Sequence, residues 1–517
     1  MNRTVRVAAS AATLWLAVFV LVPVVVLLTS NVRVNDFSRV LTSDVTWKVV
    51  WFSTWQSILS TGATFVLAMP VTWLIGRYHF FGRRTLRAVT TVGFLLPSVV
   101  VAAAFLAVLP SSLHYSVFAV VIAHAYFNLA VIVRVVGARL ESLDSRLDEA
   151  AWSLGASPAR TAATITWPLI RGAAASAAAV TFLFCFTSYA VVRVLGGPGR
   201  NTIESDIALR AFGIGDVSGA SVLALLQTVV IVCVVSLLRR AAGRDVSLLR
   251  TAARLTPMPP RVRWVALLVS LVTVAFVATP LLAVFWRSIQ VGDAVTLKAW
   301  STIVDESLLN SIMSSLRTAV VTALRGVALA GAASLAIVRS ATLGRTLDTF
   351  TMLPLAISPV TLGLGFVVTF DQSWYDWRGM WWFVAIAHAV VAFPLIVRVL
   401  VPAWRAIPPR LSEAATALGA GEVRRLVDID LRLLRRAFVA GLGLAVAVSL
   451  GEFGAASLLS RQGAETMPVA IARLLERTGD LVRAQAFVLS SLLVVLCAAT
   501  LLVVEISLGR QRDVAHH

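Results

Sequence analysis

LWLAVFVLVPVVVLL, residues Leu14–Leu28, and VRWVALLVSLVTVAFVATPLLAVF, residues Val262–Phe285, decide the fold class. Neither run alternates with a period of two, and neither keeps a charged face. A helix that is apolar all round belongs in a core or in a bilayer. A helical span needs roughly 20 such residues. Working outward, similar runs recur near 9–29, 50–75, 88–109, 117–137, 173–195, 220–238, 264–286, 313–337, 347–370, 380–400, 437–459 and 485–505. The whole chain of 517 residues is 58% hydrophobic and 14% charged, with mean hydropathy +0.86. Soluble proteins are nearer 45–50% apolar and about 25% charged. That balance excludes a soluble enzyme, a disordered chain and a secreted disulfide scaffold. The expected fold is all-α: a polytopic membrane protein with about twelve transmembrane helices.

The formal net charge is +19, from 45 Lys+Arg against 26 Asp+Glu. On a membrane protein this excess marks cytoplasmic loops and not nucleic-acid binding. Arg3 and Arg6 precede the first apolar run, which extends through Leu28 with no A-x-A cleavage site. It reads as a retained helix with a cytoplasmic N-terminus. On that topology Arg77, Arg83, Arg84 and Arg87 fall inside. So do Arg239, Arg240, Arg244, Arg250, Arg254, Arg261 and Arg263. The opposite loops are mixed, with Arg33, Asp36, Arg39 and Asp44 in one and Asp371, Asp376 and Arg378 in another. Trp47, Trp51, Trp374, Trp377, Trp381 and Trp382 lie near the outer boundaries, as an aromatic belt does. The three cysteines, Cys185, Cys233 and Cys497, sit in apolar segments and suggest neither a disulfide nor a metal site.

The two halves match. Ile122-Ala123-His124 returns as Ile386-Ala387-His388, and Ile132-Val133-Arg134 as Ile396-Val397-Arg398. Glu149-Ala150-Ala151 returns as Glu413-Ala414-Ala415, and Leu154-Gly155-Ala156 as Leu418-Gly419-Ala420. All share an offset of 264 residues. Upstream, Arg77, Gly82 and Pro97 match Arg339, Gly344 and Pro359 at an offset of 262. Ordered matches at constant offset identify two parallel six-helix repeats, each expected to supply one wall of a midplane path. The expected division is a first helix and loop over 1–48, a first transmembrane domain over 49–238, and an Arg/Pro-rich linker over 239–263. A seventh helix and loop follow over 264–310, then a second transmembrane domain over 311–505 and a tail over 506–517.

The fourth and fifth spans are joined by a cytoplasmic stretch with a defined spacing. It reads Glu149-Ala150-Ala151, three residues, Gly155, nine residues, Ile165, one residue, then Trp167-Pro168. The second copy reads Glu413-Ala414-Ala415, Gly419, Ile429 and Leu431-Arg432 at the same spacing. Such a pattern suits a short helix, a tight glycine turn and a second short helix. Alanines allow close approach, and the glutamate suits charge-assisted hydrogen bonds to a partner. The stretch resembles the E-A-A coupling motif of ABC importer permeases. The first copy has Trp167 where that family has Leu, and the second has Arg432 where it has Pro. The resemblance implies that Glu149, Ala150, Ala151, Gly155, Ile165, Pro168, Glu413, Ala414, Ala415, Gly419 and Ile429 engage ATPase subunits.

No G-x4-G-K-[ST] loop surrounds Lys48 or Lys298, the only lysines, and no H-E-x-x-H, G-x-S-x-G or Cys-rich metal spacing is present. The chain is therefore expected to be a permease without catalytic groups or a cofactor of its own. ATP and Mg²⁺ would be bound by two copies of a separate ATPase. Polar residues inside spans are path candidates. Glu452, in Ser449-Leu450-Gly451-Glu452-Phe453-Gly454, aligns with Ser188 in Phe186-Thr187-Ser188-Tyr189-Ala190. Ser188, Tyr189, Glu452 and Phe453 are the expected path residues, a set that suits a cationic, aromatic substrate. His124 and His388 read as helix-packing histidines, and Asn128 as an interhelical hydrogen-bonding residue. Arg317 is expected to snorkel to the outer interface, while Arg325, deeper in its span, needs a partner.

The fused two-half design is similar to the thiamine and ferric-iron branch of type I permeases. Leu195-Gly196-Gly197-Pro198-Gly199, Thr202-Ile203-Glu204 and Leu225-Leu226-Gln227 resemble the first half of thiamine permeases, and Ser449–Gly454 their second half. The resemblance implies an extracytoplasmic substrate-binding protein, an inner-membrane location and cytoplasmic termini. Ferric iron is the alternative substrate. A secondary transporter is the alternative class, but it leaves the paired E-A-A loops unexplained.

Overall fold

Apolar runs of this length satisfy their backbone internally, so helices form wherever the chain meets lipid. The computed structural model describes residues 3–29, 32–242, 256–340, 343–370, 377, 380–461 and 463–514. Ten helices there are long and apolar enough to cross a membrane. Two further pairs qualify only together and are sharply bent. Arg83–Leu95 meets Ser98–Val108 at 103°, and Gly344–Ala356 meets Pro359–Phe370 at 94°. The expected third and ninth spans are thus broken rather than straight. Proline explains both bends. Pro97 lacks an N–H, and Leu96 before it is forced extended at φ −82°, ψ 146°. Pro359 opens the second helix of its pair.

The expected fifth and eleventh spans also differ. Their helical segments begin earlier, at Pro158–Phe186 and Glu422–Gly451, and stop at Thr187 and Glu452. Short helices Ala190–Leu195 and Gly454–Leu459 follow each break.

The chain forms two compact units. One comprises Leu41–Asp206 and Leu226–Ser288. Here the helix Asp44–Arg77 packs against Val117–Glu141 and Trp167–Phe186. Its buried stripe is made of small and hydroxyl residues, including Ser53, Ser57, Ser60, Thr64, Ala68 and Thr72. Small residues let membrane helices approach closely where no water drives them together. The helix Pro260–Ser288 lies against Ser98–Val108, and Tyr126 donates to the Val277 carbonyl at 3.1 Å.

The other unit comprises Met1–Val40, Ile207–Leu225 and Ile289–His517. Its helix Glu306–Arg339 packs against Phe383–Arg405 and Arg432–Gly451, again through small residues such as Ser315, Thr322, Gly326 and Ala330. The helix Arg3–Leu16 lies on Glu306–Arg339, and Val22–Thr29 lies on Pro359–Phe370. The opening helix of each repeat therefore packs in the unit built by the other repeat. Gly363 and Gly454 permit close crossings in this unit. A Cβ on Gly363 would lie 3.0 Å from Ala455 Cα, and one on Gly454 would lie 3.0 Å from Pro359 Cβ.

Of the expected linker, Thr256–Pro257 pairs in parallel with Tyr78–His79, and Thr256 donates to the Arg77 carbonyl at 2.9 Å. Arg244, Arg250 and Arg254 lie outside the described residues, as do Asp371, Trp374, Asp376 and Arg378. The last helix, Asp480–Val514, runs on into the stretch expected to be a tail.

Candidate coupling loops and buried clusters

In each unit the E-A-A stretch folds as a short helix, a glycine turn and a second short helix. Glu149, Ala150 and Ala151 lie in Arg146–Ser153, and Glu413, Ala414 and Ala415 in Pro409–Ala417. Gly155 and Gly419 both adopt φ +79°, the left-handed region that glycine enters without strain. The Ala156 N–H returns to the Ala151 carbonyl at 3.0 Å, and Ala420 N–H to Ala415 at 2.9 Å. Leu154 and Leu418, just before the two turns, are each 88% exposed, and Trp152 is half exposed. Glu149 and Glu413 also face outward. Two equivalent loops thus each present an exposed carboxylate and, five residues on, a bare leucine, a combination suited to a docked partner.

The chain leaves both loops through a π-helical turn, Ala162–Thr166 in one and Leu426–Leu431 in the other. Ile165 and Ile429 sit half-buried in these turns. Pro168 follows the π-helical turn directly, near the start of Trp167–Phe186. Arg432 begins Arg432–Gly451 and lies 3.7 Å from Asp428. The departure from proline leaves the exit helix intact.

Ser188, Tyr189, Glu452 and Phe453 all fall at the breaks, each within its own unit. Tyr189 is buried and accepts a hydrogen bond from Arg193 at 3.0 Å. Glu452 is 6% exposed, and its carboxylate caps the helix Gly454–Leu459. Ala455 N–H donates to Oε1 at 2.9 Å and Ala456 N–H to Oε2 at 3.0 Å. His388 Nε2 lies 3.1 Å from Oε2, at ion-pair distance but off the line of a hydrogen bond. The group beside the Glu452 carboxylate is thus the His388 ring. Arg325 instead stands over the Trp382 ring at 5.6 Å.

The histidines anchor equivalent clusters. His388 Nδ1 is 2.9 Å from Ser449 Oγ, and Ser449 donates to Thr322 at 3.4 Å. Thr322 donates to the Ala385 carbonyl at 3.1 Å. In the other unit His124 Nδ1 is 3.2 Å from Ser60 Oγ, with Cys185 at the position matching Ser449. His124 Nε2 has no hydrogen-bond partner among the described residues. Asn128 Nδ2 donates to the His124 carbonyl at 3.0 Å, a bond within its own helix, and reaches Cys185 Sγ on a neighbouring helix at 3.5 Å.

Sequence reasoning missed one further pair. Beyond each break the chain turns back into the unit, where Ile203 N–H donates to Ser53 Oγ at 2.8 Å. Met467 N–H donates to Ser315 Oγ at 2.7 Å. Ser53 and Ser315 differ by 262, and Ile203 and Met467 by 264, so the repeat offsets themselves carried the signal.

Comparison with known proteins agrees with this geometry. Residues 68–247 and 326–512 each match the model of the binding-protein-dependent transport system inner membrane component. The thiamine transport system permease protein ThiP of Escherichia coli (strain K12) is 27% identical over 506 residues, covering 93% of this chain and 92% of that one. ThiP of Brucella suis biovar 1 is 25% identical over 488 residues, covering 90% and 89%. The molybdenum transport system permease protein ModB of Escherichia coli (strain K12) is 38% identical over 120 residues, 21% of this chain and 52% of that one. The helices, the repeat and the two matched regions together place this chain in the family of binding-protein-dependent transport system inner membrane components, as a multi-pass type I ABC importer permease with its two halves fused.

Proposed function

We propose that the permease imports thiamine or its phosphates, delivered by an extracytoplasmic binding protein and driven by two copies of an ATPase docked on the two E-A-A loops. The observation that carries the ATPase reading is the pair of exposed Leu154 and Leu418 tips beside Glu149 and Glu413. A groove on each ATPase would cover the leucine, and its polar rim would meet the glutamate. Similarity to thiamine permeases along about 90% of the chain supports the substrate. The orientation follows from the arginine-rich loops, with both termini, the E-A-A loops and the linker inside. The four residues at the breaks line the path in this reading, since interrupted helices are where transporters expose backbone to substrate. Glu452 then acts by holding its break in shape, through Ala455, Ala456 and His388.

The cycle is alternating access. ATP closes the ATPase dimer, the loops follow, and the path opens to the loaded binding protein. Hydrolysis resets it. The test is uptake of labelled thiamine by proteoliposomes holding permease, ATPase and binding protein. ATP-dependent uptake competed by thiamine phosphates, and not by Fe³⁺, is expected. Uptake of Fe³⁺ alone would move the function to iron acquisition. Uptake without the ATPase would point to a secondary transporter.

A further inference from the structure

Arg77 and Arg339 are the last residues of the two long helices Asp44–Arg77 and Glu306–Arg339. Both turn back onto the E-A-A stretch of their own unit. Arg77 Nη2 binds Asp148, the residue before Glu149, and donates to Thr166 Oγ1 at 3.2 Å. Arg339 Nη2 binds Asp430. Thr166 and Asp430 are equivalent positions, and both lie in the π-helical exit turn. The arginines sit at negative helix ends, where a cation is favoured. Their partners are largely shielded: Asp148 is 14% exposed and Asp430 3%. Each arginine makes these contacts through Nη2 of a rigid planar guanidinium, a reach and plane that a lysine does not reproduce.

The far ends of the same helices are also pinned. Ser53 lies 24 residues before Arg77, and Ser315 lies 24 residues before Arg339. At 1.5 Å per residue each pair is ~36 Å apart along its helix. Ser53 and Ser315 hold the Ile203 and Met467 N–H groups, beyond the breaks at 187–189 and 452–453. Each unit thus carries a rod fastened to the loop at one end and to the segment after the break at the other.

We propose that Arg77 and Arg339 are positioning residues of the transport cycle, locking each loop to its long helix so that the two move as one body. The proposal rests on the reading of these loops as ATPase-docking elements. The two loops are held differently. Asp148 ties the loop's first short helix to Arg77, whereas the matching residue in the other half is Ser412. There Arg425 donates to Thr416 at 2.9 Å, tying the two short helices to each other.

The test uses the assembled complex of permease, ATPase and binding protein, with exposed Cys233 replaced by Ala. Spin-label pairs at Ile58 and Ala159, and at Val320 and Val423, report each loop against its long helix. In the parent, both distances are expected to change by less than about 2 Å between nucleotide-free and vanadate-trapped states, the scale of a packed helix shift. In Arg77→Gln or Arg339→Gln the corresponding pair shifts or broadens on trapping. Thiamine uptake per ATP hydrolysed then falls about 10-fold, the size of an ordinary coupling between sites. Arg339→Lys, which keeps the charge without the planar guanidinium, is expected to be intermediate. If Arg77→Gln fails to assemble, Asp148→Asn combined with Thr166→Val carries the same measurement. Unchanged distances in the variants, or a large change in the parent, would overturn the proposal. Failure of the parent to bind the ATPase would sink the docking reading itself. A parent that binds ATPase but ignores thiamine would leave the distance test intact.

Discussion

The two histidine clusters occupy equivalent places in the repeat and have diverged in opposite directions. Around His388 stand Ser449, which bonds on to Thr322, and a carboxylate that also caps a helix. Around His124, Cys185 and Ser188 stand where Ser449 and Glu452 stand in the other half. By contrast, the glycine turns and the serine pins keep the same geometry in both halves, and the arginines at the helix ends reach the same exit turn through different partners. The common parts shape each loop and fasten each long helix. The divergent parts lie beside the breaks, where the two halves have no need to be alike.

Four measurements sharpen or break that comparison. The largest effect is expected from His388→Ala, which takes the ring from beside the buried Glu452 carboxylate and from the Ser449 hydroxyl. Leaving buried polar groups without a partner costs about 1–3 kcal/mol each. His124→Ala removes only the Ser60 bond, about 1 kcal/mol. Thermal unfolding in detergent should show the first far less stable than the second, and equal losses would erase the distinction between the clusters. Next, Ser53→Ala and Ser315→Ala each strand a buried N–H, at about 1–3 kcal/mol. Their losses should match, and a large inequality would show that the pins are not equivalent.

Gly155→Ala and Gly419→Ala force a side chain into the left-handed region, at about 1–2 kcal/mol each. The strain falls in the exposed turn, so ATPase co-purification should weaken while unfolding of the membrane core hardly moves. The smallest effect concerns the Arg39–Asp216 pair at 2.8 Å. Its hydrogen bond and charge pull the Asp216 carboxyl down to about 2, from an ordinary value of 3.8. A depressed carboxylate contributes stability above its unfolded value and loses it as pH falls through the folded one. Arg39→Ala should therefore cost less than about 0.5 kcal/mol at neutral pH, because Arg39 is half exposed. The difference should vanish between pH 4 and pH 2 in a melting series.

Much of this was legible in the residues. The repeat offsets of 262 and 264 recover the loops, the glycine turns and, in retrospect, the serine pins. Pro97 and Pro359 mark the bends, because a proline removes an N–H and restricts the residue before it. The breaks at 187–189 and 452–453 were hidden because hydropathy continues across them. Glu452 stands out in the sequence as a charge in a span, but its bonds to the Ala455 and Ala456 N–H groups are visible only in the structure. The arginine contacts were hidden for another reason. The arginines align, but their carboxylates sit at Asp148 in one half and Asp430 in the other, so no repeat alignment pairs them. Packing of each opening helix in the opposite unit leaves no trace in local sequence at all.

That exchange of opening helices has a consequence for synthesis. The helix Arg3–Leu16 emerges tens of seconds before its partner Glu306–Arg339, at roughly 5–20 residues per second. In water an apolar helix left waiting so long would seek any partner it met. In a bilayer, lipid tails solvate it as well as leucine does, so the delay carries little penalty. The ribosome can therefore finish both halves before either is whole, and a chain cut at the linker would release two fragments that each lack a helix the other holds.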